Sequence, residues 1–414
     1  MNVILLNTYD SQGGAAIATY RLHRGLRAIG VNSQLLVQIK KTDDRSVIAP
    51  STFLAKALAI FSCYWEIGLK KLYHLRKDIF FSPAWLSFNV ISKADAHKPD
   101  IVHLFWINGG FISPETLKKF DKPIVWTLHD MWPFTGGCHY DEGCGRFQLS
   151  CGRCPLLDSN LEHDLSGRVW SRKRKSWEGV PITVVATSRW LAAMARASSL
   201  FSSYRIEVIP NGLDTVKYRP LDKQACRAAY GLPLDKKLIL FSAFRATTDK
   251  RKGGHLLLEA LTFLAKTDFA SQAELVIIGA SEPEVPLDLR MKVHYLGNLH
   301  DEISQILLYS AADVTVAPSM QENLSNTVME SLACGTPVVA FDIGGMPDLI
   351  DHQQGGYLAQ PFSSSDLANG IIWVLESSTR KAALDLYART SAVKKYSLKT
   401  VADQYLTLYS DIIK

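Results

Sequence analysis

Residues 318–347, PSMQENLSNTVMESLACGTPVVAFDIGGMP, hold two glutamates, Glu322 and Glu330, with seven residues between them. Ahead of them, residues 313–317 (DVTVA) are short and β-branched, as strands are; Val328-Met329-Glu330-Ser331-Leu332-Ala333 is an apolar run that reads as a helix. The order is strand, polar turn, helix. The first turn of a helix leaves its backbone N–H groups without internal partners, and the helix dipole adds partial positive charge there. Residues 323–327 are therefore a natural cradle for a diphosphate. An offset of eight residues at helical rise spans at most about 12 Å, which fits a sugar at one end of a diphosphate and a ribose at the other. Carboxylates accept hydrogen bonds from paired hydroxyls, so each end has its reader. A helical glutamate is ordinarily a solvated surface group. Glu330, set between Met329 and Leu332, does not fit that description.

The pattern Glu322-x7-Glu330, followed by Ala333-Cys334-Gly335-Thr336-Pro337-Val338-Val339, resembles the signature of the retaining glycosyltransferases of family 4. The resemblance implies an α/β protein of the GT-B fold: two Rossmann-like domains facing a central cleft, with a C-terminal helix crossing back to the first domain. In that family the first glutamate contacts the donor hexose, the intervening amides contact sugar and β-phosphate, and the second glutamate binds the ribose. Those roles fall on Glu322, on Asn323, Leu324, Ser325 and Asn326, and on Glu330. Where family members commonly carry Gly-Phe-Gly after the first glutamate, this chain has Asn323-Leu324-Ser325.

A chain of 414 residues, 47% hydrophobic, is long enough for two domains of about 200 residues, each with its own core. No apolar run reaches the roughly 18 residues a spanning helix needs. The chain enters a strand at residues 3–6 with no basic leader, and it reads as a cytoplasmic protein. A dispersed net charge of +6 argues against nucleic acid as a partner. The one dense basic run, Arg172-Lys173-Arg174-Lys175, reads as a solvated helix face. Alternatively, together with the apolar and basic mixture of residues 53–75 (Lys56, Lys70, Lys71), it reads as a surface for peripheral docking on a bilayer that carries a lipid-linked acceptor.

Along the first half, strands are expected at residues 33–39, 101–107, 123–128, 182–187 and 204–211, alternating with helices, as in an open and mostly parallel sheet. Ligands in such sheets bind at the carboxyl ends of strands, where His103, Asn108, His129 and Asp130 fall. Gly13-Gly14 opens the first helix and lets a ligand approach the backbone closely. There is no G-x-G-x-x-G, which argues against a dinucleotide cofactor. The resemblance places Gly13 and Gly14 in the cleft and puts a histidine, here His129, near the donor's sugar. Asp130 is read as the carboxylate that fixes its ring.

Cys138, Cys144, Cys151 and Cys154 follow as C-x5-C-x6-C-x2-C, with His139 beside the first. In a reducing compartment such a cluster reads as a structural zinc site that staples a loop; free thiols or disulfides are the competing reading. Four protein ligands leave no open position for catalysis, so no cofactor is expected to act in the reaction. In this elaboration the chain is similar to bacterial exopolysaccharide and colanic-acid-type transferases.

In the second half a strand at residues 238–244 leads into a loop, residues 245–254, with Arg245, Lys250, Arg251 and Lys252 ahead of Gly253-Gly254. Cations on a glycine-rich strand-to-helix loop suit a diphosphate leaving group. The family places an Arg and a Lys there; Arg245 matches by its place after the strand and Lys252 by the glycine that follows, while Lys250 matches the usual spacing. Tyr295-Leu296-Gly297-Asn298 resembles the loop that holds the nucleobase, which assigns a donor contact to Asn298. The expected domains are 1–205 with a Cys-rich insertion at 136–156, 206–394, and a helix at 395–414 packing back on the first.

The function so implied is retaining transfer of a hexose from a nucleoside diphosphate sugar (UDP or GDP) to a glycan or lipid-linked acceptor, with exopolysaccharide, capsule or lipopolysaccharide assembly as the setting. Its rivals are a nucleotide-sugar 2-epimerase and a non-catalytic sugar-nucleotide-binding scaffold.

Overall fold

The computed structural model describes residues 1–72, 80–87, 90–242, 249–282, 289–299 and 301–414. Its contacts divide the chain into two compact units, Met1–Gly212 with Leu398–Lys414, and Leu213–Ser397.

The first unit runs β1 (Asn2–Tyr9), α1 (Gly14–Ala28), β2 (Asn32–Ile39), β3 (Val47–Ile48), α2 (Phe53–Leu72), α3 (Ile91–Asp95), β4 (Ile101–Leu104), β5 (Ile124–Leu128), α4 (Leu165–Trp177), β6 (Ile182–Ala186), α5 (Arg189–Ala197) and β7 (Arg205–Val208). Its strands are parallel, in the order β3-β2-β1-β4-β5-β6-β7. Successive residues of one strand enter different cores. Ile4 and Leu6 join Trp126, Trp177 and Phe201 on one face; Val3 and Leu5 join Leu22, Leu26 and Tyr405 on the other. Burial on both faces is why these strands read as unbroken apolar runs.

The second unit contains α6 (Lys223–Ala229), β8 (Lys237–Ser242), α7 (Gly254–Leu264), β9 (Ala273–Ile278), β10 (Val293–Tyr295), α8 (Glu302–Ala311), β11 (Val314–Ala317), α9 (Asn326–Ala333), β12 (Val338–Phe341), α10 (Met346–Leu349), β13 (Gly356–Ala359), α11 (Ser364–Leu375) and α12 (Ser378–Tyr396). Its strands are also parallel, in the order β10-β9-β8-β11-β12-β13. Leu238 and Leu240 of β8 enter one core, Ile239 and Phe241 the other.

The last helix, α13 (Leu398–Ile413), belongs to the first unit. The Tyr409 hydroxyl lies 2.6 Å from His103 Nδ1, His103 Nε2 lies 2.8 Å from Thr127 Oγ1, and Thr127 Oγ1 lies 2.8 Å from the Tyr405 hydroxyl. His103 is therefore a fully buried packing group and not a ligand at a strand end. Burial holds its pKa well below the ordinary histidine value. The junction expected between residues 205 and 206 falls inside β7, which is paired along its length with β6, so the units change over after Gly212. Likewise α12 runs to Tyr396, and the return to the first unit comes after Ser397 instead of after residue 394.

Two surface features differ in kind. The basic run of α4 is not a uniformly solvated face: Lys173 is fully buried, with Nζ 3.6 Å from the Trp132 ring centroid and donating to the carbonyls of Trp132 and Thr135. Conversely, α2 carries exposed Phe53, Leu54, Phe61 and Tyr64, with Phe53 88% exposed, while Ala59 and Ser62 are buried. No helix among the described residues is long and apolar enough to cross a membrane.

Candidate functional site

In the second sheet the strand order reverses between β8 and β11. The crevice outside the carboxyl ends of strands at such a reversal is where open α/β sheets bind ligands. The turn after β11 brings Glu322 there, and the segment leading into α7 brings Lys252, whose Nζ lies 2.7 Å from Glu322 Oε2. Lys250 is exposed, so Lys252 is the lysine that meets the glutamate. Arg245 lies outside the described residues.

The two loops are tied by their backbones. Met320 N donates to the Arg251 carbonyl (2.8 Å), and the Arg251 guanidinium donates to the Gln321 carbonyl (3.4 Å). Gly253, at φ +71°, packs so closely on Pro318 that a Cβ would collide with the Pro318 carbonyl oxygen. On the other side Gly345 N donates to the Glu322 carbonyl (3.1 Å), and a Cβ on Gly344, at φ +54°, would strike that same oxygen. Burial raises the Glu322 pKa, but the charges of Lys252 and Arg251 and the Asn323 N–H outweigh it and hold the carboxyl below its ordinary range.

The residues that follow divide their duties. Ser325 caps α9, its hydroxyl accepting from Val328 N (3.4 Å), and Leu324 is buried in the apolar core. Asn323 is also buried, and Asn326 opens the helix. The side chains of Leu324 and Ser325 thus serve the fold, which leaves their backbone amides as the groups expected to meet a donor. Glu330 is buried and its Oε2 accepts from the Tyr309 hydroxyl (3.2 Å), which also meets Thr327 and Ser242, the last residue of β8. It anchors the start of α9 to the carboxyl end of β8. Asn298 stands exposed past β10 at the sheet's edge, where Gly279 N donates to the Gly297 carbonyl (2.7 Å).

In the first unit the order reverses between β1 and β4. Gly13, at φ +90°, caps α1 with open space where a Cβ would stand, and Gly14 begins the helix. His129 follows β5, with its ring 6.0 Å from that of Phe105. Burial drives its pKa down to about 4, with Asp130 opposing, so the ring is neutral at neutral pH. Asp130, whose charge acts on His129, also serves a second histidine. Its carboxylate lies 2.6 Å from His139 Nδ1 and accepts from Trp106 Nε1 (3.2 Å) and Trp132 N (2.9 Å). Asn108 is buried, its carbonyl accepting from the Thr8 hydroxyl (2.6 Å).

The sequence reading missed Tyr9, Phe80 and Trp106 and gave His139 no role. The Trp106 centroid lies 6.0 Å from that of Tyr9 and 6.1 Å from that of Phe80, and Phe80 lies 4.2 Å from His139. The available signal was Tyr9 and Trp106 at the ends of two strands that turn out to be neighbours.

The four clustered cysteines come within electrostatic reach of one another in the loop before α4. Cys138 and Cys154 pack with Phe81, Leu156, Leu165 and Val169, and Cys151 Sγ accepts from Gly136 N (3.1 Å). Burial raises all four thiols, Cys151 to about 12. Among the described residues no three His, Cys, Asp or Glu side chains are placed to hold a metal ion together.

Comparison with known proteins bears on both units. The family model "Glycosyltransferase Family 4" matches residues 12–217, and "Glycosyl transferases group 1" matches residues 236–377. The chain is 27% identical over 354 residues to a D-inositol 3-phosphate glycosyltransferase of Xylanimonas cellulosilytica, covering 78% of this chain and 76% of that one. It is 29% identical over 221 residues to the enzyme of that name from Saccharomonospora viridis, spanning half of each. In structure it is similar to sucrose-phosphate synthase from Thermosynechococcus elongatus (TM-score 0.69, 20% identity, 100% and 99% of the two chains) and to Anabaena HepE solved with UDP and glucose (TM-score 0.65, 18% identity, 99% of each). Two parallel Rossmann-like sheets, a last helix that rejoins the first unit, and a glycosyltransferase family model on each half lead to one conclusion: the chain is a glycosyltransferase of the GT-B fold.

Proposed function

We propose that the protein moves a hexose from a nucleoside diphosphate sugar, with retention of configuration, to a glycan or lipid-linked acceptor in exopolysaccharide, capsule or lipopolysaccharide assembly. The observation that carries this reading is the Lys252–Glu322 pair, 2.7 Å apart at the reversal of the second sheet and beside the start of α9. Lys252 and the α9 amides stabilise the charge that builds as the C1–O bond to the diphosphate breaks, and no metal is required for that step. Glu322 accepts hydrogen bonds from the hexose hydroxyls as the ring becomes oxocarbenium-like. The leaving phosphate oxygen takes the acceptor's proton as the acceptor oxygen bonds C1 on the same face. Glu330 holds the ribose or, through Tyr309, the helix turn that meets it.

UDP is the first nucleotide to try, because HepE was solved with it, and GDP the second. The names of the sequence relatives make an inositol phosphate the competing acceptor. The exposed apolar residues of α2 fit peripheral contact with a bilayer at its cytoplasmic face.

A thermal-shift panel of nucleoside diphosphates and their sugars, followed by a hydrolysis assay, tests the reading. We expect one base to stabilise the protein, with slow release of sugar, and Glu322→Gln to lower turnover at least a hundredfold while nucleotide binding persists. No shift with any nucleotide at millimolar concentration overturns it in favour of a scaffold. Interconversion of donor sugars without an acceptor points to the epimerase.

A further inference from the structure

Three rings stand at the reversal of the first sheet: Tyr9 ends β1, Trp106 lies just past β4, and Phe80 precedes Phe81, which bridges to Cys138. The Tyr9 and Trp106 planes are 26° apart, and the Trp106 and Phe80 planes 20°. Near-parallel rings with centroids about 6 Å apart are stacked with an offset, and Phe80 is the exposed member of the group. We propose that Phe80, backed by Trp106 and Tyr9, is the floor that takes a pyranose ring of the acceptor.

The floor is fixed before any ligand arrives. The Trp106 indole N–H donates to Asp130 Oδ2 (3.2 Å), and its backbone N–H donates to Asn7 Oδ1 (2.9 Å). Phe80 rests on His139, which is held between Asp130 (2.6 Å) and the Ser82 hydroxyl (3.1 Å). Preorganised rings lose no rotamer freedom on binding. Phe80 remains 52% exposed, so the surface is open to solvent.

The chemistry selects a sugar. A pyranose has one face of C–H groups, which an aromatic face desolvates and attracts through its negative quadrupole, and a rim of hydroxyls that neighbouring polar groups can read. A nucleobase stacks on the same rings, but on the function proposed above, on which this inference rests, the nucleotide belongs to the second unit. A phosphate-bearing acceptor is disfavoured, because the Asp130 carboxylate beside the rings has the repelling sign.

Saturation-transfer NMR on the full chain without donor tests this, with methyl gluco-, galacto- and mannopyranoside, cellobiose, maltose and D-inositol 3-phosphate as probes. We expect transfer to the ring C–H protons of at least one pyranoside, at least a tenfold weaker response in Phe80→Ala, and recovery in Phe80→Trp. Response to the inositol phosphate alone, equal response in Phe80→Ala, or donor hydrolysis by a protein that ignores every pyranoside overturns the floor. Pyranoside binding by a protein that binds no nucleotide supports the floor while overturning the transferase reading.

Discussion

Gly253 and Gly344 press on the Glu322 loop from two sides, and each is at a positive φ with a carbonyl where its Cβ would be. Gly253→Ala must therefore push Pro318 away or abandon its backbone conformation. We expect it to destabilise the second unit by about 2–4 kcal/mol, read from the denaturant midpoint. The Lys252–Glu322 pair gives a sharper test through pH. The Glu322 carboxyl titrates lower in the fold than in the unfolded chain, so the pair's contribution is complete above the unfolded value, about pH 4.3, and is lost as pH falls through the lowered folded value. The melting-temperature difference between the protein and Glu322→Gln should hold steady from pH 8 to 5 and shrink below pH 4. His129 illustrates the opposite case, a base held neutral by burial.

At the scale of elements, α13 and α2 make contrasting contacts. Through Tyr405 and Tyr409, α13 is bound into a hydroxyl and imidazole chain that crosses β4 and β5. Tyr409→Phe keeps the ring but leaves His103 Nδ1 without its partner in a dry site; we expect a loss of about 1–3 kcal/mol, measured by chemical denaturation. The α2 helix turns Phe53, Leu54, Phe61 and Tyr64 to solvent, and the bilayer contact proposed above depends on them. Burying one large apolar side chain contributes about 1.5–3 kcal/mol. Phe53→Ser with Phe61→Ser should therefore lower co-sedimentation with phosphatidylglycerol vesicles at least tenfold while leaving the melting temperature unchanged.

On the scale of the whole molecule, acid acts unevenly. His23, His103 and His129 all lie in the first unit, and burial lowers all three, His23 and His129 to about 4. Each binds its proton more readily when unfolded, so stability is complete above about pH 6.5 and falls as pH drops toward 4, by up to about 1.4 kcal/mol per group per pH unit. Two-wavelength or calorimetric melts should show the first unit's transition moving down between pH 7 and 5 while the second unit's holds. The strand and helix alternation was legible because a parallel sheet buried on both faces writes its strands as apolar runs, and because Glu322-x7-Glu330 falls where strand gives way to helix. What the sequence hid depends on contacts between distant residues. His103 finds its partner on α13, Asp130 reaches past His129 to His139, Glu330 is drawn into the core by Tyr309, and the ring floor joins the ends of strands far apart in sequence. No local pattern encodes such pairings. The membership of α13 in the first unit also has a consequence in time. Residues 1–212 leave the ribosome first, yet the face of their sheet that receives Val401, Tyr405 and Tyr409 stays bare until residues 213–397 have been made. The unit begun first is thus closed after the other, and a nascent chain must keep an open apolar surface from aggregating until α13 has been made.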